Sequence, residues 1–229
     1  MSVPPAADGV VVAVDGPSGS GKSSTARAVA LALGLRYLDT GAMYRAVTWA
    51  VLQRHVDPLD AEAVAGLAGE LELASGTDPR APTITVDGVD VSGPIRGAAV
   101  TSAVSAVSAV PEVRRLMVDQ QRALAGDGGI VVEGRDVGSV VLPDATVKVF
   151  LTADVGARAR RRTAQDGGPE SAHDATRDDL ERRDRLDSSR PASPLARADD
   201  AVDLDTTDLT LEQVVDRIVG LVQGSDVSP

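Results

Sequence analysis

The sequence predicts an α/β fold built on a parallel sheet, and two features of the chain indicate it. Short aliphatic runs at residues 10–14, 130–132, 147–151 and 201–204 are hydrophobic at consecutive rather than alternate positions. Strands of a parallel sheet are covered on both faces and therefore have this composition. Helical segments separate the runs, an alternation that forms parallel sheets. A shorter run at residues 37–38 predicts a fifth strand.

Helices are predicted between and after these strands. The segments with helical character are residues 22–33, 42–55, 61–71, 113–124, 155–165, 176–186 and 211–222. Between positions 101 and 110, valine and alanine recur at three- and four-residue spacing, so we predict a further helix there. Pro111 then begins the helix that follows, because proline is favoured in a first helical turn.

One region departs from this alternation. Residues 75–94 contain two β-branched runs joined by Asp87 and Gly88. An Asp-Gly pair between such runs is a strong signal for a β-hairpin. Antiparallel strands within a parallel framework predict a small inserted subdomain.

Composition excludes several classes of protein. The chain has 229 residues, 43% of them hydrophobic and 25% charged, which excludes disorder of the whole chain. Without cysteine and with only two histidines, it has no disulfide scaffold, thiolate nucleophile or Cys/His metal site. Neither a signal peptide nor a membrane span is found in the sequence. We therefore expect a cytoplasmic protein that does not bind membranes.

The charged residues are unevenly distributed. Only Lys22 and Lys148 are lysines among 23 basic residues, a scarcity that we attribute to codon bias. The net charge is −11, yet residues 158–190 contain nine basic and eight acidic groups. An acidic chain with four aromatic residues argues against a nucleic-acid-binding module.

A phosphate-binding motif follows the first buried run. Residues 16–23 match G-x-x-x-x-G-K-[ST] at every fixed position and precede a predicted helix. Backbone N–H groups of such a loop bind phosphate oxygens, Lys22 reaches the β and γ phosphates, and Ser23 can ligate Mg²⁺. The predicted ATP-binding residues are Gly16, Pro17, Ser18, Gly19, Ser20, Gly21, Lys22, Ser23 and Ser24.

The motif by itself leaves the reaction open. A GTPase needs an Asn-Lys-x-Asp motif that recognises guanine. The lysine outside the phosphate-binding motif, Lys148, lies in a predicted strand and not in such a motif, which disfavours that class. Glu133 follows an apolar run and could serve as the acidic residue of an ATP-driven motor, so that alternative remains.

Two further polar clusters each allow two interpretations. Thr40 has the pattern of a helix N-cap with Arg45 one turn later, which indicates a second anion site or an ordinary cap beside a surface arginine. Arg135 and Asp136 follow a predicted strand, where open α/β sheets bind ligands, and form either a site or a structural pair.

Arginines also cluster later in the chain. Arg158, Arg161 and Arg162 share one face of a predicted helix and suit a polyphosphate, a solvated basic face or a nucleic-acid patch. Arg183, Asp187 and Arg190 would share a face if their helix extends that far, as part of a site or as a surface salt-bridge ladder.

In order and spacing, these blocks resemble the bacterial cytidylate (CMP) kinases of the nucleoside monophosphate kinase group. The resemblance covers nearly the whole chain and includes V-V-A-V-D-G-P-S-G-S-G-K-S, L-D-T-G-A-M-Y-R, E-G-R-D-V-G and R-R-D-R-L-D-S-S-R-P. It implies a five-stranded parallel sheet flanked by helices, an inserted antiparallel subdomain and a helical lid. The implied boundaries are core 1–65, insert 66–104, core 105–153, lid 154–182 and core 183–229.

The resemblance also implies roles for residues. The acceptor phosphate is held by Thr40, Arg45 and Arg135, and the cytosine edge is read by Ser105 and Arg114 with Asp136 near the amino group. Arg183 and Asp187 hold the ribose hydroxyls, and Arg190 approaches the monophosphate or the ring. Two positions depart mildly from the family pattern, Thr40 where serine is common and Ser23 where glycine often occurs.

The implied activity is transfer of the γ-phosphoryl group of ATP to CMP and dCMP, with Mg²⁺ as cofactor. Lys22 and the lid residues Arg158, Arg161 and Arg162 would stabilise the transferring group. We expect a monomer with small-molecule substrates. A kinase of UMP, AMP or a shikimate-like acceptor and a non-enzymatic nucleotide switch are the alternatives.

Overall fold

The computed structural model describes residues 9–165, 173–188, 195 and 197–224. Its strands are β1 (Val11–Asp15), β2 (Arg36–Asp39), β3 (Leu73–Ser75), β4 (Ile84–Val86), β5 (Val89–Asp90), β6 (Ile130–Glu133), β7 (Val147–Thr152) and β8 (Val202–Asp205). Its helices are α1 (Lys22–Leu33), α2 (Thr40–Gln53), α3 (Ala61–Glu70), α4 (Ala98–Val107), α5 (Pro111–Ala125), α6 (Val155–Gln165), α7 (His173–Ser188) and α8 (Leu211–Gln223).

Five strands form a parallel sheet in the order β2-β6-β1-β7-β8. The predicted α/β fold is confirmed, including the short fifth strand, which is β2. Strand β1 lies at the centre and pairs with β6 and β7. The loops that follow β1 and β6 therefore leave the sheet next to each other.

Side chains of β1 alternate between two hydrophobic layers. Val12 and Val14 pack in a layer with Val29 of α1 and Ile218 of α8. Ala13 faces the other layer, which α2 and α5 cover. Burial of each large aliphatic side chain contributes about 1.5–3 kcal/mol, so both layers hold β1 in place.

The inserted region contains a small antiparallel sheet of order β3-β4-β5. The predicted hairpin is confirmed, and its turn residues Asp87 and Gly88 have φ of 50° and 78°. Positive φ at both positions is the conformation that Asp-Gly hairpin turns adopt. Strand β3 was not predicted, because only Leu73 of its three residues is fully buried. The insert contacts the core where the Tyr37 N–H donates to Thr77 O at 2.9 Å.

Several helix boundaries differ from the predictions by one to three residues, and the differences at α2 and α4 are the clearest. Thr40 is the first residue of α2, so its prediction as the N-cap is wrong. Asp39 is the cap: it has an extended backbone, and its Oδ1 accepts the N–H of Ala42 at 2.9 Å. The helix predicted within 101–110 is α4, which begins at Ala98 and ends three residues earlier than expected.

Pro111 lies in the first turn of α5, as predicted. Among the residues that the structure describes, no helix combines the length and the apolar character needed to cross a membrane.

Gly16→Ala should damage the fold at the junction of β1 and the phosphate-binding loop. Gly16 has a φ of 145°, and a Cβ built there would lie 2.1 Å from the carbonyl oxygen of Leu151. Because the sheet fixes that oxygen, we expect the free energy of unfolding to fall by roughly 2–4 kcal/mol in urea denaturation.

The matched control is Gly66→Ala in α3, where a Cβ would meet no described atom within 4 Å. Since alanine favours helix, this variant should be unchanged or more stable by up to about 1 kcal/mol. Equal losses in the two variants would contradict the steric explanation.

Candidate active site

A cavity of about 510 Å³ lies at the carboxyl edge of the parallel sheet. Its walls come from the segments that follow β1, β2, β6, β7 and β8, together with α4, α5 and the turn that contains Arg96. The predicted site residues that line it are Ser18, Gly19, Ser20, Gly21, Lys22, Ser23, Ser24, Thr40, Arg45, Ser105, Arg114, Arg135, Asp136, Arg161 and Arg162. Gly16, Pro17 and Arg158 lie beside this lining. One space thus brings together both predicted substrate sites.

The glycine-rich loop, residues 16–21, forms one wall. Gly19 and Gly21 have φ of 78° and 93°, which allows the chain to turn directly into α1 at Lys22. The first amides of a helix have no acceptor within it and can bind an anion. Lys22 is buried, and its Nζ donates to Pro17 O at 2.7 Å. An ammonium group and the amides of a helix N-terminus at one wall suit the phosphates of a nucleotide.

A hydrogen-bonded group of three side chains adjoins this wall, and two of them, Ser23 and Glu133, also line the cavity. The Ser23 hydroxyl donates to Glu133 Oε2 at 3.0 Å, and the Tyr37 hydroxyl donates to Glu133 Oε1. Glu133 ends β6 and is only 3% exposed. The acidic residue after the apolar run therefore contacts the phosphate-binding loop.

Burial changes the proton affinity of this group. It raises the pKa of Glu133, with the negative charge of Asp39 as the next cause. Burial also lowers the pKa of Lys22, assisted by the positive charge of Arg135. It raises the pKa of Tyr37, so the phenol stays protonated and remains the donor. A bound phosphate would favour the charged ammonium of Lys22.

The donor set fits Mg²⁺ that arrives with a nucleotide. Ser23 and Glu133 supply a hydroxyl and a carboxylate, the oxygen donors that this cation prefers. No cluster of three or more Asp, Glu, His or Cys side chains within the described ranges could hold a metal by itself. Mg²⁺ in kinases is held by one or two protein groups together with substrate phosphates and water, which matches this arrangement.

A second group of polar side chains lines the cavity next to the phosphate-binding loop. Thr40 is buried, and its hydroxyl donates to Glu133 O at 2.7 Å. Arg135 Nη1 donates to Gly16 O at 3.1 Å, and Arg45 Nη1 donates to Thr101 Oγ1 at 2.9 Å. Two guanidinium groups and a hydroxyl therefore line the wall where the acceptor phosphate is expected.

A buried ion pair joins α5 to the segment after β6. Arg114 Nη2 donates to Asp136 Oδ2, and both side chains are less than 10% exposed. The guanidinium also lies 5.4 Å from the centre of the Tyr44 ring. Its buried Nε has no hydrogen-bond acceptor among the described residues. The pair and Ser105 line the same end of the cavity, where they offer donors and an acceptor to a flat polar ligand.

Comparisons with known proteins agree with this geometry. The family model for cytidylate kinase matches residues 12–224. The chain belongs to the cytidylate kinase family. A cytidylate kinase from Streptomyces avermitilis is 59% identical over 216 residues, which cover 93% of each chain. One from Nocardia farcinica is 54% identical over 216 residues, again covering 93% of each chain. The predicted resemblance is therefore confirmed.

A solved structure supports the fold alone. An uncharacterized protein from Eubacterium ventriosum aligns with a TM-score of 0.51 at 12% identity, covering 94% of this chain and 99% of the other.

The arginines of α6 in this cytidylate kinase family member contact different partners. Arg161 donates to Thr206 Oγ1 at 2.9 Å. Both Arg161 and Arg162 line the cavity. Arg158 donates to Ser18 O at 3.1 Å and forms an ion pair with Asp184 of α7. It therefore connects α6 and α7 to the phosphate-binding loop.

Three predicted acceptor residues have no described side chain. Arg183 and Asp187 belong to α7, but their side chains lie outside the described residues. Arg190 lies outside the described residues altogether. Their roles stay predictions.

Several residues of the cavity escaped the sequence analysis, as did Tyr37, which lies outside the cavity lining. Tyr37 and Tyr44 occur in the same block as Thr40, yet nothing local shows that one contacts Glu133 and the other Arg114. Arg96 ends a short 3₁₀ turn, Pro94–Arg96, and also lines the cavity. Apolar residues of the donor end were also missed, although the block after β8 could have indicated them: Leu209, Leu211 and Val214.

Arg114→Gln and Arg115→Gln form a matched pair on consecutive positions of α5. Arg114 is buried with Asp136, whereas Arg115 is 58% exposed and contacts Glu112 and Asp119 in solvent. Because Arg114→Gln leaves a buried carboxylate without its partner, we expect it to lower the free energy of unfolding by roughly 3 kcal/mol. Arg115→Gln should change it little.

Urea denaturation of the two variants measures this difference. Similar losses in the free energy of unfolding of the two variants would show that Arg114 does not stabilise the buried Asp136.

Proposed function

We propose that this chain transfers the γ-phosphoryl group of ATP to the 5′-phosphate of CMP and of dCMP. One observation carries the proposal: a single cavity joins a phosphate-binding loop to a second wall with Thr40, Arg45 and Arg135. Two adjacent anion sites in one cavity suit the transfer of a phosphoryl group between two nucleotides. The family supports the choice of substrate.

The donor side binds and orients ATP. The loop amides and Lys22 hold the β and γ phosphates, while Ser23 and Glu133 hold Mg²⁺ with water. When bound, Mg²⁺ neutralises charge on the phosphate oxygens. An oxygen of the acceptor phosphate attacks the γ-phosphorus in line while the bond from that phosphorus to the β-phosphate oxygen breaks and ADP leaves, so no covalent enzyme intermediate is needed. Lys22 then stabilises the negative charge that develops on the transferring group.

The acceptor side selects the nucleotide. Arg45, Arg135 and Thr40 bind the acceptor phosphate. Arg114 donates to O2 and N3 of cytosine, and Asp136 accepts from the exocyclic amine. Because the two side chains already hold each other in place, little ordering is required when the base binds.

The lid completes the site. Arg161 and Arg162 approach the phosphates from α6, and closure excludes water that would otherwise hydrolyse ATP. Arg158 holds the base of the lid against the loop at Ser18. We take the lid as residues 154–182 and the insert as residues 66–104, in a monomeric cytoplasmic enzyme.

A coupled assay of ADP formation with CMP, dCMP, UMP and AMP as acceptors tests the substrate assignment. The carboxylate of Asp136 accepts from an amino group that uracil lacks, so we expect kcat/KM for UMP to be at least tenfold below that for CMP. AMP should be poorer still, because its purine is larger. Equal or higher rates with AMP would refute the assignment, and nucleotide binding without acceptor-dependent turnover would indicate a switch.

Lys22→Ala tests the donor side, with Lys148→Met as the control. Removing the ammonium at the phosphates should lower kcat by about 10²–10³-fold, measured as ADP release under saturating CMP. Lys148 pairs with Asp200 away from the cavity, and methionine keeps its apolar stem, so kcat should stay within twofold. Full activity of folded Lys22→Ala would contradict the mechanism.

A further inference from the structure

We propose that Asp15 is a positioning residue that fixes the acceptor loop, residues 134–138, against the phosphate-binding loop, residues 16–21. The inference rests on the proposed phosphoryl transfer, because it concerns the distance between the two loops that carry the substrates. Asp15 lies outside the cavity lining and is not among the predicted site residues.

The geometry of Asp15 is that of a two-point anchor. It ends β1, is only 4% exposed and is directly followed by Gly16. Its Oδ1 accepts the N–H of Val137 at 2.9 Å, and its Oδ2 accepts the N–H of Gly138 at 2.8 Å. These amides begin a π-helical turn, Val137–Val141, where N–H groups have no acceptor within the turn. A carboxylate from another strand supplies both acceptors.

The anchored amides lie next to the residues that act on the acceptor. Arg135, two positions before Val137, donates to Gly16 O of the phosphate-binding loop. Asp136, directly before Val137, holds Arg114. Both side chains therefore leave a backbone whose position is set from the end of β1.

The surroundings leave the acceptor loop little freedom. A Cβ built at Gly138 would lie 3.2 Å from Lys148 Cδ and 3.5 Å from Asp15 Oδ2. Burial raises the pKa of Asp15 to about 6, although its two amide hydrogen bonds partly offset this effect. An apolar side chain at this position would avoid the cost of burying a carboxylate, so the two amides account for the residue that is present.

Catalysis should be sensitive to this anchor. A displacement of about 1 Å between reacting groups can cost on the order of 10²-fold in rate. Loss of the anchor would let Arg135 and Asp136 move relative to Gly16 while the glycine-rich loop itself keeps its turn. Loss of the anchor should therefore weaken CMP binding and slow phosphoryl transfer, while ATP binding stays unchanged.

Asp15→Asn and Asp15→Ala test the proposal in the full chain. Asparagine keeps the volume and one acceptor oxygen, whereas alanine keeps neither. We expect kcat/KM for CMP to fall about 10-fold and about 100-fold respectively, with the Kd for ATP weakened no more than twofold. Amide hydrogen exchange at Val137 and Gly138 should become faster in the same order.

Asp60→Ala is the control for a loss of stability alone. Asp60 caps α3 by accepting the N–H of Ala63 at 3.0 Å and touches neither loop. It should lower stability and leave kcat/KM for CMP unchanged.

Wild-type kcat/KM in folded Asp15 variants would overturn the proposal. Losses of ATP binding and CMP binding that are both proportional to the folded fraction would also overturn it, because they would show that Asp15 acts only on stability. If the wild-type protein does not phosphorylate CMP, the proposed function fails instead, and the exchange rates at Val137 and Gly138 still decide whether Asp15 anchors the loop.

Discussion

The parallel pairing of β1 with β6 and β7 is the constraint on which the active site depends. Strand β1 has neighbours at both edges and a hydrophobic layer on each face, so its carboxyl end has a fixed position. The pairing with β6 continues one residue further, where the Gly134 N–H donates to Val14 O at 3.1 Å. Both substrate loops therefore begin from rigid, adjacent strand ends, which is how a site keeps ångström accuracy.

Local sequence patterns account for most of the fold. Consecutive aliphatic residues predicted the parallel strands, and Asp87-Gly88 predicted the hairpin, because each signal lies within a few residues. Strand β3 has too few buried residues to give a pattern, and its pairing with β4 depends on the tertiary structure. Asp39 and Thr40 are both good caps by type, so only backbone geometry could show which one serves α2.

The site was predictable where its motif is contiguous. The phosphate-binding residues follow one another, and the family resemblance supplied residues of the acceptor wall. Contacts between distant positions had no such signal: Tyr37 and Glu133 are 96 residues apart. The contacts of Arg158 were not predictable either: helical spacing placed it on one face with Arg161 and Arg162, whereas it forms an ion pair with Asp184 of α7.

The central place of β1 also affects how the protein is made. The phosphate-binding loop is synthesised early, but its strand obtains one neighbour only with β6 and the other only with β7. Pairing of segments so far apart closes long loops and is slow. A nascent chain released between β6 and β7 would therefore leave one edge of the aliphatic strand β1 unpaired. The ribosome must deliver well over half of the chain before the sheet that carries the nucleotide site can form.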